Sequence, residues 1–259
     1  MTARYEAHGD VAVVTLDRPD RFNAIDAELS REVVSLMRRA GAEARAVVVT
    51  GAGRAFCAGA DLSVFADEYG AGGPDLARHL DEEFHPLVHA ISECPIPVVA
   101  AVNGVAAGAG MGLALGCDLR VMAETSYLTS AFTAIGLAPD SGSTWLLPHH
   151  LGTALALELA LTNRRLGAEE ALTRGICARV TPDGETLAAA IEYAQGFADM
   201  ATDALVTTRR LIRGSWGLSF EDALRAERAE QGRLGMTPEH AEGVAAFLEK
   251  RQADFRNPG

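Results

Sequence analysis

Short apolar runs alternate with longer segments of helical periodicity along the first two thirds of the chain. Residues 11–16, 46–50 and 97–102 are short, mainly apolar runs of five or six residues, which predicts buried strands, and residues 118–123 are predicted to form a further strand. Between the first two runs, residues 26–39 carry apolar side chains at helical spacing, and Asp26 is the predicted N-cap. This alternation predicts an α/β fold with parallel strands up to about residue 180.

Other segments of the pattern are less regular. Residues 75–92 predict a helix that Pro86 must end or kink. Residues 66–74 contain Gly70, Gly72 and Gly73 and are predicted to form a mobile loop. From residue 186 onward the chain is predicted to be mostly helical, with charged amphipathic helices over 220–231 and 238–255.

Length, composition and charge narrow the class of protein. The 259 residues suit one large domain, or one domain with an appendage, and 48% are hydrophobic, which is enough for a sizeable core. The net charge is −12, with 23 Lys and Arg against 35 Asp and Glu, which argues against binding of nucleic acid or a membrane surface. The N-terminus resembles no signal peptide and no segment has the length of a membrane span, so we expect a cytoplasmic protein.

The residues that often bind metals or act as nucleophiles form no convincing set. Four cysteines occur without a CxxC pair, and no GxSxG motif is present. His85 and His89 lie four residues apart and His149 and His150 are adjacent, but no carboxylate completes a ligand set at metal-binding spacing. We therefore expect no metal site.

Two loops rich in glycine and alanine, residues 50–62 and 103–112, each follow an apolar strand. Free N–H groups at a helix N-terminus attract negative charge, and small residues let a ligand approach the backbone. The spacing is not GxGxxG with an acidic residue after the next strand, and GK[ST] is missing, which disfavours a dinucleotide site or a P-loop. Tight packing explains either loop alone, whereas two such loops favour a ligand held by main-chain dipoles.

These two loops carry a resemblance to a known family. Residues 56–62, Phe-Cys-Ala-Gly-Ala-Asp-Leu, resemble one signature of the crotonase (enoyl-CoA hydratase/isomerase) family. Residues 97–104, the glycine run and Cys117-Asp118 resemble its second signature, and the likeness extends from residue 16 to residue 251. The resemblance implies the crotonase spiral of ββα turns over residues 1–195 and a helical region over 196–259 that forms a homotrimer or a hexamer.

The resemblance also implies a ligand and roles for particular residues. The substrate would be an acyl-coenzyme A thioester, with coenzyme A as part of the substrate and no permanently bound cofactor. The N–H groups of Ala60 and Ala109 would hold the thioester oxygen. Contacts to coenzyme A and the acyl group would come from Arg18, Phe22, Ala58, Asp61, Leu62, Gly108, Phe132, Phe247 and Lys250.

The acid–base group departs from the family's hydratases, which use two glutamates. The matching positions here are Gly112 and Phe132, and neither can transfer a proton. Asp140 is the predicted substitute, because some family isomerases carry a carboxylate there. Its alternative role is to cap the helix that follows. A dehalogenase of the family uses this position as a nucleophile, but it requires a tryptophan where Phe132 stands.

The sequence therefore predicts an acyl-CoA isomerase with Asp140 as acid and base. The motifs Gly-Leu-x-Pro-Asp and Trp-Leu-Leu-Pro, at residues 136–140 and 145–148, are most similar to those of the family's phenylacetyl-CoA epoxide isomerases. Two alternatives stay open: a hydratase with atypical water activation, and a protein that binds CoA thioesters without efficient catalysis.

Overall fold

The structure is a computed structural model, and it describes residues 1–69 and 72–258. The strands within these residues are β1 (Ala3–His8), β2 (Val11–Leu16), β3 (Ala46–Gly51), β4 (Ala55–Cys57), β5 (Val98–Val102), β6 (Val105–Ala107), β7 (Leu119–Ala123), β8 (Tyr127–Thr129), β9 (Leu166–Gly167) and β10 (Arg179–Thr181). The helices are α1 (Ala27–Glu43), α2 (Ala66–Tyr69), α3 (Leu76–His79), α4 (His85–Ser92), α5 (Ala109–Gly116), α6 (Ser143–Leu151), α7 (Thr153–Thr162), α8 (Ala168–Thr173), α9 (Thr186–Ala198), α10 (Thr202–Gly214), α11 (Phe220–Leu234) and α12 (Pro238–Glu249).

The strands form two sheets, and the chain moves repeatedly from one to the other. The first sheet has the order β1-β2-β3-β5-β7-β10, and all neighbours are parallel except β1 and β2. The second sheet has the order β4-β6-β8-β9, with only β8 and β9 antiparallel. Each of β3, β5 and β7 is followed by a short strand of the second sheet. This succession is the predicted spiral of ββα turns.

The first sheet is buried on both faces, as expected of parallel strands. Along β3, Val47 and Val49 belong to the main core that α1, α4 and α5 help to fill. Val48 belongs to a second core against α9. The helix α9 continues past residue 195 to Ala198, which has no exposed surface. The division of the chain at residue 195 stays a prediction, but this helix packs as part of the sheet layer.

The predicted strands are confirmed within one or two residues, and Asp26 caps α1 by accepting a hydrogen bond from the Leu29 N–H. The predicted helix over 75–92 is confirmed in extent, because the chain is helical from Leu76 to Ser92, but Pro86 does not end it. A five-residue π-helix, Leu80–Phe84, lies between α3 and α4, and Pro86 is in the first turn of α4.

Three further predictions are corrected. The segment predicted as a loop from residue 66 begins with α2, while Gly70 and Ala71 lie outside the described residues. The glycine run contains the strand β6 before its helix begins. The final helix ends at Glu249, because Lys250 takes a left-handed conformation, and not at residue 255. None of the helices in the described part of the chain has the length and apolar character of a membrane span.

Candidate active site

The first glycine-containing loop leaves β4 and pairs with a neighbouring segment of chain. The Ile25 N–H donates to the Gly59 carbonyl at 2.7 Å, and the Asp61 N–H donates to the Ile25 carbonyl at 2.8 Å. Successive residues of an extended chain direct their N–H groups to opposite sides. The N–H of Ala60 therefore points away from Ile25.

The second loop leaves β6 and becomes α5. Gly108 is the N-cap, and Ala109 is the first helical residue. The first N–H groups of a helix lack partners within the helix and carry partial positive charge. A Cβ placed on Gly59, whose φ is +93°, would lie 2.9 Å from the Ala107 carbonyl oxygen and 3.4 Å from the Ala109 nitrogen. The two loops are thus in direct contact, and only glycine at position 59 allows it.

Phe132 forms an apolar wall beside these loops. Its side chain is buried, and its Cζ atom would lie 3.7 Å from a Cβ placed on Gly108. Phe132 directly precedes a 3-10 turn, Thr133–Ile135. Its carbonyl accepts hydrogen bonds from the N–H groups of Ile135 and Leu137. The position where the family's hydratases have a glutamate therefore presents a ring next to the N-terminus of α5.

The loop that carries Asp140 packs against the same helix. A Cβ placed on Gly112 would lie 2.6 Å from the Ser141 carbonyl oxygen. Gly112 follows Ala109 by three residues, a rise of roughly 4.5 Å along the helix. Asp140 is therefore attached to a segment that lies about one helical turn from the Ala109 N–H.

The Asp140 carboxylate does not cap the following helix, so this alternative role is wrong. The N-cap of α6 is Gly142, and no side chain caps this helix. The main-chain carbonyl of Asp140, not its side chain, accepts the Ser143 N–H at 2.8 Å. The carboxylate instead accepts a hydrogen bond from the Ser141 hydroxyl at 2.8 Å.

The surroundings of Asp140 make its carboxylate a stronger base than that of an exposed aspartate. Burial raises the pKa of Asp140 above its ordinary value, although the Ser141 hydroxyl and the charge of His85 oppose this increase. His85 is the first residue of α4, and its Nδ1 lies 3.3 Å from Asp81 Oδ1. A partly buried carboxyl group with a raised pKa is suited to take up a proton and return it.

Residues 6–258 match the family model described as enoyl-CoA hydratase/isomerase. The chain belongs to the crotonase family. A Rhodobacter capsulatus protein named "probable enoyl-CoA hydratase" is 42% identical over 258 residues, which cover 98% of this chain and 97% of that protein. The 1,2-epoxyphenylacetyl-CoA isomerase of Escherichia coli is 38% identical over 248 residues, 95% of this chain and 94% of its own length. A crystal structure of an enoyl-CoA hydratase from Polaromonas sp. JS666 is similar with a TM-score of 0.90 at 31% identity, covering 97% of this chain and 98% of that one.

Two of the predicted ligand-binding residues of this crotonase, Arg18 and Asp61, form an ion pair. Arg18 donates to Asp61 at 2.9 Å and lies 3.0 Å from Asp26. Although burial raises the pKa of Asp61, hydrogen bonds from the Ser63 hydroxyl and the Arg18 guanidinium hold it below the ordinary value. This ion pair therefore stabilises the first loop, and a contact of either side chain with ligand stays a prediction.

The outer edge of the first loop is accessible. Leu62 is 49% exposed, and Phe22 is partly exposed beneath the guanidinium of Arg54, which lies 4.2 Å from the ring centroid. Ala58 is partly exposed, and its N–H donates to the Phe22 carbonyl at 3.0 Å. Phe22, Arg54 and Ala58 therefore lie together at this edge of the loop.

The remaining two predicted contacts lie elsewhere. Phe247 is 83% exposed, and Lys250, which follows α12, is also exposed. Their role in binding coenzyme A stays a prediction.

Two residues beside Asp140 were missed as parts of the site. Ser141 gives no sequence signal, because its hydrogen bond to Asp140 depends on a left-handed φ of +50°. The sequence indicates His85 only as a candidate metal ligand, and its effect on Asp140 follows from the position of α4. In the first loop, burial raises the pKa of the Cys57 thiol to about 12, which excludes it as a nucleophile near neutral pH.

Proposed function

We propose that this crotonase is an acyl-CoA isomerase in which Asp140 transfers the proton. The N–H groups of Ala60 and Ala109 stabilise the thioester enolate. One observation carries the proposal. Members of the family carry their acid–base carboxylates at the positions of residues 112, 132 and 140, and here the first two are Gly112 and Phe132. Asp140 alone of the three can act as acid and base.

The proposed reaction conserves every atom of the substrate. With a 3-enoyl-CoA, the Asp140 carboxylate removes a proton from C2, and the electron pair of that bond passes into the thioester as an enolate. The enolate oxygen accepts hydrogen bonds from the two N–H groups, each worth about 10²–10³ in rate at comparable sites. The carboxylic acid then returns the proton to C4, and the double bond moves to C2–C3. Because no water is added, one carboxyl group is sufficient.

The acyl group is proposed to be apolar or cyclic. The Phe132 ring lies beside Gly108 at the start of α5, where an apolar chain or ring finds a matching surface. The Escherichia coli relative named 1,2-epoxyphenylacetyl-CoA isomerase supports an epoxide of phenylacetyl-CoA as a substrate. The more similar Rhodobacter capsulatus protein is named a hydratase, which keeps hydration with atypical water activation as the alternative.

The test compares three substrates and two variants. Purified protein is incubated with trans-2-enoyl-CoA, trans-3-enoyl-CoA and the phenylacetyl-CoA epoxide, and products are resolved by liquid chromatography. We expect isomerisation of the 3-enoyl-CoA or the epoxide, and a loss of about 10²–10⁴ in rate for Asp140→Asn. Asp183→Asn is the control, because Asp183 is exposed and bonds to Thr125.

Each alternative has its own outcome. Rapid hydration of the 2-enoyl-CoA without isomerisation would favour the hydratase. Thermal stabilisation by a CoA ester without turnover of any substrate would favour a binding protein. An Asp140→Asn variant with the full isomerase rate would contradict the role of this residue.

We propose further that the chain assembles as a homotrimer or a dimer of trimers through its C-terminal helices. The support is the exposed apolar surface of α11 and α12, where Phe220 is 76% exposed, Phe247 83% and Leu248 74%. In such an assembly Phe247 and Lys250 complete the coenzyme A site of a neighbour. Light scattering after gel filtration should give three or six times the mass of 27.3 kDa, and a monomer would contradict this proposal.

A further inference from the structure

Gly112 has no room for a side chain. A Cβ at this position would lie 2.6 Å from the Ser141 carbonyl oxygen, 3.1 Å from the Ser141 Cβ and 3.2 Å from the Ser143 Oγ. The nearest of these atoms belongs to the main chain, so it cannot rotate away as a side chain could. Any residue other than glycine at position 112 must displace the segment that contains Ser141.

This segment has a strained conformation. Ser141 is 2% exposed and has a φ of +50°, and Gly142 follows with a φ of +79°. A left-handed conformation is unfavourable at a residue other than glycine, so the surrounding packing must hold it. Ser143 is fully buried, and its hydroxyl has no hydrogen-bond partner among the described residues. Its side chain fills the space beside Gly112 without anchoring the segment through a hydrogen bond.

We propose that Gly112 is a positioning residue for Asp140: its missing side chain lets the Ser141 carbonyl rest on α5, and this contact fixes the direction of the Asp140 carboxylate. The inference rests on the proposed function of Asp140. It also means that Gly112 is more than the loss of a glutamate found in the family's hydratases. A glutamate on α5 at this position would displace Ser141 and, with it, the neighbouring Asp140. The absence of a side chain at position 112 is therefore a condition for the present placement of Asp140.

The test is Gly112→Ala, with Gly116→Ala as the matched control. Both glycines are buried in α5, but a Cβ on Gly116 would meet no atom within 4 Å. We expect Gly112→Ala to lower kcat for isomerisation at least tenfold and to change KM less than twofold, because the segments that carry the N–H groups of Ala60 and Ala109 do not contact a Cβ at position 112. We also expect the acid limb of the pH profile to move to lower pH, because a displaced Asp140 loses the burial that raises its pKa. Gly116→Ala should have the kcat, the KM and the pH profile of the parent protein.

A double-mutant cycle separates positioning from a general loss of structure. If Gly112 acts through Asp140, adding Gly112→Ala to Asp140→Asn should lower kcat less than twofold further. Multiplicative losses would overturn the inference, as would a Gly112→Ala variant with the parent kcat and pH profile. Should Gly112→Ala fold poorly, Gly112→Ala/Ser141→Gly allows the carbonyl to turn away, because glycine tolerates a positive φ. This double variant should melt near the parent temperature and have a lower kcat than Ser141→Gly alone, which lacks the same hydroxyl. An equal kcat for these two variants would refute the role.

The cycle also distinguishes the two proposals. An active Asp140→Asn variant would contradict the proposed function itself. An inactive Asp140→Asn variant beside a fully active Gly112→Ala variant would remove only the inference about Gly112.

Discussion

Asn23 should be the residue on which the stability of the first loop most depends. It has no exposed surface, and its Nδ2 donates to the carbonyls of Ala52 and Ala55 at 2.9 and 2.8 Å. Its Oδ1 accepts the Arg18 N–H at 2.9 Å. One side chain thus connects the turn that follows β2 to the segment that enters β4. The substitution Asn23→Ala removes all of these bonds at once.

The expected cost follows from these contacts. Three hydrogen bonds at a net ~1 kcal/mol each contribute about 3 kcal/mol. Asn23 has a φ of +57°, a conformation that asparagine tolerates and alanine does not, which adds about 1 kcal/mol. The free energy of unfolding should fall by about 4 kcal/mol. For a chain of this size, that lowers the melting temperature by about 8–16 °C.

Differential scanning fluorimetry measures the shift, and Asn163→Ala is the control. Asn163 has a similar φ of +53°, but its side chain donates a single hydrogen bond, to Thr133 Oγ1 at 2.6 Å. Its replacement should cost about 2 kcal/mol, or about 4–8 °C. Equal shifts for the two variants would show that backbone conformation alone matters and that the buried bonds of Asn23 do not. KM for the CoA ester should also rise in Asn23→Ala, because Ala58 and Ala60 lie just beyond β4.

Three other predictions concern ionisable groups. His85→Gln removes a charge that lowers the pKa of Asp140, so the acid limb of the kcat/KM profile should move to higher pH, and an unchanged limb would contradict their proximity. Cys57 should resist iodoacetamide at pH 8 until the protein unfolds, because burial raises the pKa of its thiol to about 12; modification of the folded protein would argue against this burial. The two ring nitrogens of His79 hydrogen-bond to two glutamates at 2.8 and 2.9 Å, which raises the pKa of this histidine. Its stabilisation is complete below about pH 6.5 and is lost as pH rises through the raised pKa. His79→Gln should therefore lower the melting temperature more at pH 6 than at pH 9, and a larger effect at pH 9 would contradict this role.

The strands of the first sheet could be predicted because their signal is local. Val11–Leu16 and Ala46–Gly51 are buried along their whole length and are apolar apart from Thr15 and Thr50, which is the pattern of strands covered on both faces. The strands of the second sheet are two or three residues long, and β6 consists of a valine and two alanines inside a glycine-rich run. Their strand conformation arises from pairing between distant segments, which a local pattern does not contain.

The candidate site also contains some features with a local sequence signal and others without one. The two loops were found because small residues cluster there, but the assignment of Ala60 and Ala109 came from family resemblance, since a main-chain N–H leaves no side-chain signal. For Asp140, helix capping and catalysis predict the same residue type. The conformation of Gly142, which becomes the N-cap, decides against capping, and a φ angle cannot be read from residue type alone.

The contact between Gly59 and the second loop has a consequence for how this site can change during evolution. The groups that face the proposed thioester are parts of the peptide backbone, and strand pairing between β4 and β6 holds them in place. Substitution of Ala60 or Ala109 alters a methyl group and leaves the hydrogen-bond donor intact. The residues around them, at positions 112, 132 and 140, can vary without breaking the pairing of β4 and β6. A lineage can thus exchange one reaction for another while it keeps the binding of the same thioester, and new activities need only a few side-chain replacements.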